Sequence, residues 1–314
     1  MLKRYKLIVP LIVLALIIFS FAGCGANPEK PEPKENSNTP PEVPEILTEM
    51  EDTILETMYA IDSVMGLEVT LQEIEKLKAE ITQESEVDQE KQEKEDSAMD
   101  MIDVNRVIME NAIIIPILEE EEVEGDEMID PHKPPQEVDD LWFKIQQNIY
   151  TIHRQWNVLE RHLKDADVPN EQLQELEELL EELTKNLDAK EVEASLFTSN
   201  EILGKLADYR NHFKSKVPFE MYMLRYQSRK SVLLSNEEEY EAALEEAEKM
   251  KELINGLRQR VIEKDGEEEL DKLVLSLEDL QHEISTENFH LVQIKAAIFM
   301  KNIELVQTPF EAGN

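Results

Sequence analysis

Residues 139–187 read DDLWFKIQQNIYTIHRQWNVLERHLKDADVPNEQLQELEELLEELTKNL, and this stretch decides the fold class. Ile145, Ile149, Ile152, Trp156, Leu159 and Leu163 advance by 4, 3, 4, 3 and 4. After Asp167-Val168-Pro169-Asn170, the residues Leu173, Leu176, Leu180, Leu183 and Leu187 advance by 3, 4, 3 and 4. On a helix such steps line side chains along one face, while the intervening Glu, Gln and Lys face water. Each set is a seam for packing against another helix. Two seams joined by a short turn predict a helical hairpin.

The pattern recurs about 97 residues later. Ala243, Ala247, Met250, Ile254, Leu257 and Val261 repeat the first series, and Leu270, Leu273, Leu277, Leu280 and Ile284 repeat the second. Asn157-Val158-Leu159 aligns with Asn255-Gly256-Leu257, and the turn returns at Asp265-Gly266. The reading is an internal duplication, with copies at about 139–213 and 236–306. Helices are expected near 139–166, 170–187, 189–213, 219–233, 236–264 and 267–306. Capping-box spacing at Asp188/Glu191 and Ser235/Glu238 marks two of the starts. Gly204 and Gly256 are expected to allow close packing. The class is all-α, an elongated antiparallel helical bundle over 139–307. A short α-solenoid resembling tetratricopeptide arrays is the alternative, disfavoured because the period is not the one such arrays use.

Upstream, Leu47, Met50, Ile54, Met58, Ile61 and Met65 form another stripe, expected to break at Gly66 and to resume at Leu71, Ile74 and Ile81. Residues 46–118 read as an N-terminal helical region, with a solvated stretch at 82–98 and a helix kinked or ended by Pro116. Residues 119–138 read as an acidic linker and a boundary. Residues 24–45, with six prolines, read as an extended tether. Trp156 lies in a seam and is expected in the core, as is Trp142.

The chain begins with Lys3, Arg4 and Lys6, then an apolar run from Leu7, and then Phe21-Ala22-Gly23-Cys24. A basic start, an apolar run and small residues before a cut site make a secretory signal over 1–23. Phe21-Ala22-Gly23-Cys24 resembles the lipobox of bacterial lipoproteins. That resemblance covers about the first 25 residues. It implies cleavage after Gly23, acylation of Cys24, and a cell-membrane location on the extracytoplasmic face. Read instead as an uncleaved span, the run would sit at the short end of the spanning range, with the same topology.

The formal net charge is −38, with 70 Asp and Glu against 32 Lys and Arg. Such a surface repels nucleic acid and anionic headgroups, so the membrane contact falls to the lipid. Cys24 is the one cysteine in the chain, so no intrachain disulfide forms and stability rests on burial.

Few residues carry chemistry. Glu287-Asn288-Phe289-His290 has the Glu-x-x-His spacing of bundle metal sites, but the other copy lacks the histidine, so Glu287 and His290 are weak metal candidates. No phosphate loop, nucleophile elbow or catalytic cysteine is present, and neither enzyme activity nor a cofactor beyond the lipid is expected. One stretch departs from the acidic rule. Lys214, Lys216, Arg225, Arg229 and Lys230 fall among a single acid, Glu220, with Phe213, Phe219, Tyr222 and Tyr226 interleaved. They are either a recognition surface for an envelope polymer or a partner's acidic helix, or cations paired with the chain's own Glu around aromatics that fill the core. The expected role is a structural or interaction module of the cell envelope. The alternative is a metal- or small-molecule-binding bundle for uptake or storage.

Overall fold

The computed structural model describes residues 40–84, 102–123 and 137–311. The residues read as signal (1–23), Cys24, residues 24–39 of the expected tether, most of the stretch read as solvated and residues 124–136 of the expected linker lie outside these. Ten α-helices stand in the described residues: α1 (Glu45–Glu84), α2 (Val104–Asn111), α3 (Ile115–Glu120), α4 (Val138–Asp165), α5 (Asn170–Asp188), α6 (Val192–Tyr209), α7 (Phe219–Asn236), α8 (Tyr240–Ile262), α9 (Glu267–Ser285) and α10 (Phe289–Glu311). The class is all-α, as the seams require.

The expected seams are the core. Ile145, Ile149, Ile152, Trp156, Leu159 and Leu163 of α4 are buried, as are the five leucines of α5. Each such side chain removed from water stabilises the fold by about 1.5–3 kcal/mol. Pro169 and Pro218 stand immediately before α5 and α7, with φ of −58° and −59° already suited to a helix start.

Six turns share one closure. Glu122, Asp167, Lys190, Glu238, Asp265 and Glu287 all have φ between 57° and 62°. In each, the next N–H reaches back to the carbonyl five residues earlier, as from Val168 to Leu163, Glu191 to Asn186 and Asn288 to Glu283. This is the Schellman arrangement, which satisfies helix-end carbonyls that would otherwise lack donors. It also corrects three expectations. Asp188 and Ser235 belong to the ends of α5 and α7, so neither begins a capping box, and α6 and α8 have no side-chain cap. The expected helix 267–306 is two helices, broken at Glu287. Pro116 opens α3 instead of ending a helix, because its missing N–H falls where no helical partner exists.

Two closed rings of four helices result. α4, α5 and α6 pack in sequence, and α1 closes the ring against both α4 and α6. α8, α9 and α10 pack in sequence, and α7 closes that ring against both α8 and α10. Neighbours run antiparallel. Lys205 meets Glu175 at 2.5 Å while Asn186 meets Thr198 at 3.0 Å, and Asn148 meets Thr57 while Gln155 meets Thr53. Closure by α1 and α7 rules out the solenoid alternative, in which each helix pair touches its sequence neighbours. The duplication is visible in register: α5 and α9 start 97 residues apart, and so do α6 and α10.

The stripe at 47–65 is therefore no separate region. α1 is the fourth helix of the first bundle, and the described residues from Pro40 onward belong to one compact unit. The tether also ends earlier than residue 45, since Lys214 N donates to Pro41 O at 2.7 Å. Gly66 does not break α1. A Cβ there would lie 2.4 Å from the Ile108 Cα, so the missing side chain is what lets α2 lie on α1. Gly204 similarly faces the Tyr226 ring, but Gly256 has nothing within 4 Å and serves no close packing.

Candidate functional site at the junction of the bundles

The two bundles meet along α6 and α7, and a strap from Ala112 to Glu121 crosses between them. The strap is fixed at three points. Asp62 of α1 accepts from the N–H groups of Ile113, Ile114 and Ile115 at 2.7–3.0 Å, capping the start of α3. Gln293 of α10 donates to Ala112 O and Ile113 O at 2.8 and 3.0 Å. Glu121, just past α3, is gripped by α7: Arg229 Nη1 reaches both its oxygens at 2.5 and 2.6 Å, and Arg225 Nε lies 3.6 Å away. Burial pushes the Asp62 carboxyl up to about 6, against the pull of its three N–H donors.

Beside the strap lies a cleft of about 320 Å³, lined among others by Leu55, Leu203, Arg210, Tyr222, Arg225 and Arg229. Arg210 follows α6 in a short 3₁₀ turn. It pairs with Glu51 of α1 through two bonds, Nε to Oε1 at 3.1 Å and Nη2 to Oε2, and it stacks 3.8 Å from the centre of the Tyr222 ring. Burial raises the Glu51 carboxyl, and the Arg210 charge opposes that rise. Arg225 Nη1 donates to Gln307 Oε1 at 2.8 Å, and Arg229 Nε to Asn200 Oδ1 at 2.9 Å. The rim adds Asp52, Glu120, Glu122, Glu304 and Glu311. Arginine suits this place, because its planar fork can hold a carboxylate with two bonds while its apolar stem lines the wall.

The seven residues read as one partner surface occupy three places. Tyr222, Arg225 and Arg229 converge on the cleft. Tyr226 and Lys230 lie on the other side of α7, where Tyr226 Oη donates to Glu201 at 3.0 Å and Lys230 Nζ lies 2.8 Å from Glu201. Burial pushes the Tyr226 hydroxyl up to about 12. Lys214 and Lys216 are exposed in the connection before α7, with Lys214 Nζ 3.1 Å from Glu42. Arg229 is 4% exposed. The stretch is thus no single exposed patch; α7 turns its cations to two different neighbours, and pairing with the chain's own Glu prevails.

Glu287 and His290 are both exposed, and the turn at Glu287 separates them from the shared helical face that the motif needs. Among the described residues no cluster of three metal-ligating side chains occurs. Trp142 and Trp156 are both buried.

Sequence reasoning missed Arg210, Glu51 and Asp62. The two acids carried a usable signal: Glu51 is four residues from Leu47, and Asp62 four from Met58, so both sit on the apolar stripe of α1. A carboxylate on a buried face needs a partner. Arg210 carried no such mark.

No family model matches this chain, and no curated protein or solved structure matches it.

Proposed function

We propose that this chain is an extracytoplasmic lipoprotein, held to the cell membrane by acyl chains on Cys24, whose helical body is a structural or interaction module of the cell envelope. The observation that carries the reading is the order of parts. A basic start, an apolar run and the single cysteine come first, then a proline-rich stretch, and then a compact unit beginning at Pro40. Among the described residues no helix is long and apolar enough to cross a membrane. The reading assigns attachment to Cys24 from the order of parts alone. Two acyl chains hold far better than one, at ~0.8 kcal/mol for each buried CH₂. The junction is where a partner would engage, since one strap there touches both bundles.

A second reading, capture of a small molecule, is favoured by the cleft. Its volume of about 320 Å³ suits a compact ligand, and it combines Leu55 and Leu203 with a few convergent polar groups.

The test is metabolic labelling with an alkyne fatty acid in a bacterial host. Label on the wild type and none on Cys24→Ala, with release of that variant from the membrane fraction, supports the anchor. A Cys24→Ala chain that stays equally membrane-bound refutes it. Native mass spectrometry of the unit from Pro40 separates the two readings of the body: a mass excess lost on denaturation favours the small molecule.

A further inference from the structure

α4 carries a second seam. Phe143, Gln147, Tyr150, Arg154, Asn157 and Arg161 advance by 4, 3, 4, 3 and 4, the steps of the buried seam two residues further along. Two residues are about 200° of helix, so this seam faces away from the core. All six residues are exposed, Phe143 by 62% and Tyr150 by 65%. The hydrogen bonds of Arg154 and Asn157 stay within α4, to Thr151 Oγ1 and His153 O. From Leu141 to Leu159 there is no Asp or Glu, in a chain that has 70.

The steps read the same in both directions, which permits self-pairing. We propose that this outer face of α4 is a docking surface for a second copy of the chain, the two α4 helices lying antiparallel about a two-fold axis at Ile152. That register places Phe143 against the partner's Arg161, Gln147 against the partner's Asn157, and Tyr150 against the partner's Arg154. Each guanidinium then lies over an aromatic face, and the amides meet each other. Layers of this kind are those of an antiparallel coiled coil, and an isologous contact closes at two copies. An acidic helix from another protein would match the arginines but would set carboxylates against Phe143 and Tyr150. Elsewhere the charge of −38 repels a second copy, so the acid-free face is where two chains can approach. One helix pair buries less than the roughly 1,200 Å² of a stable interface, so the dimer is weak, with a dissociation constant on the order of 10–100 μM. The proposal does not depend on anchoring at Cys24.

The experiment is sedimentation velocity on the compact unit from Pro40, over about 5–300 μM and near 0.3 M salt to screen the net charge. Expected is a concentration-dependent dimer, weakened about tenfold or more by Tyr150→Ala and lost with Tyr150→Arg. Combining Tyr150→Arg with Arg154→Glu restores it, because each new cation then faces a new carboxylate across the axis. Circular dichroism checks that these exposed substitutions leave the helices intact. A wild type monomeric throughout overturns the proposal. So does a dimer indifferent to Tyr150, or a folded double variant that stays monomeric. Binding of poly-L-glutamate by a monomeric wild type, lost on Arg154→Glu, would also overturn it by giving the face to an acidic partner.

Discussion

Replacing Glu121 by Ala removes a carboxylate that two guanidiniums share. Glu121 is 3% exposed in its side chain, Arg229 4% and Arg225 17%. Arg229 would keep its bond to Asn200 and Arg225 its bond to Gln307, but neither amide neutralises a charge. Removing one partner of a buried pair destabilises by about 3–5 kcal/mol, since the desolvated charge left behind is uncompensated. The strap would lose its hold on α7 while keeping Asp62 and Gln293. The assay is urea unfolding followed by helical circular dichroism, on the wild type, Glu121→Ala, Arg229→Met, and Glu121→Leu combined with Arg229→Met. The single variants should fall by the stated amount. The apolar double variant should recover most of that loss, because it removes the desolvation penalties of Glu121 and Arg229 together and leaves only Arg225, which is partly exposed and keeps Gln307. A loss under about 1 kcal/mol in Glu121→Ala would mean that water reaches the pair, and would refute the view of the strap as a buried clasp.

Two further outcomes follow from the geometry. Gly66→Ala should destabilise by about 1–3 kcal/mol, because its Cβ would lie 2.4 Å from the Ile108 Cα; Gly256→Ala, with open space around it, should stabilise by about 0.5–1 kcal/mol, and thermal melts of both variants check the pair. The Asp62 carboxyl is raised from 3.8 to about 6, so the folded state holds that proton more tightly than the unfolded chain. Its contribution is full below the unfolded value and is lost as pH rises through about 6, a change of about 3 kcal/mol. Wild type compared with Asp62→Asn in urea, from pH 4 to pH 7, should show that relative fall; a relative rise would mean that the three N–H donors outweigh burial.

Much of the architecture was legible because helix packing writes itself into local spacing. The seams of α4, α5, α8 and α9, the turns at Asp167 and Asp265 and the 97-residue repeat all follow from steps of three and four. The break at Glu287 was also within reach. Its counterpart in the first copy is the turn at Lys190, close to the helix boundary expected between 187 and 189, and 190 and 287 differ by the same 97. The candidate site was legible only in part. The cation-rich stretch on α7 stood out by composition, but a helix turns 100° per residue, so Arg225 and Arg229 went to one neighbour and Lys230 to another.

What the sequence by itself determined is the class, the faces and the hairpins, because these depend on residues within a few turns of each other. Only the tertiary structure decided that α1 closes the first bundle, that Glu51 meets Arg210 across 159 residues, and that Glu121 meets Arg229 across 108. Apolar seams fix which side of a helix is buried and leave open which helix covers it. In a chain with 70 acids, any of many carboxylates could have answered each arginine. The choice was made by where the strap and α1 run once the apolar faces have closed.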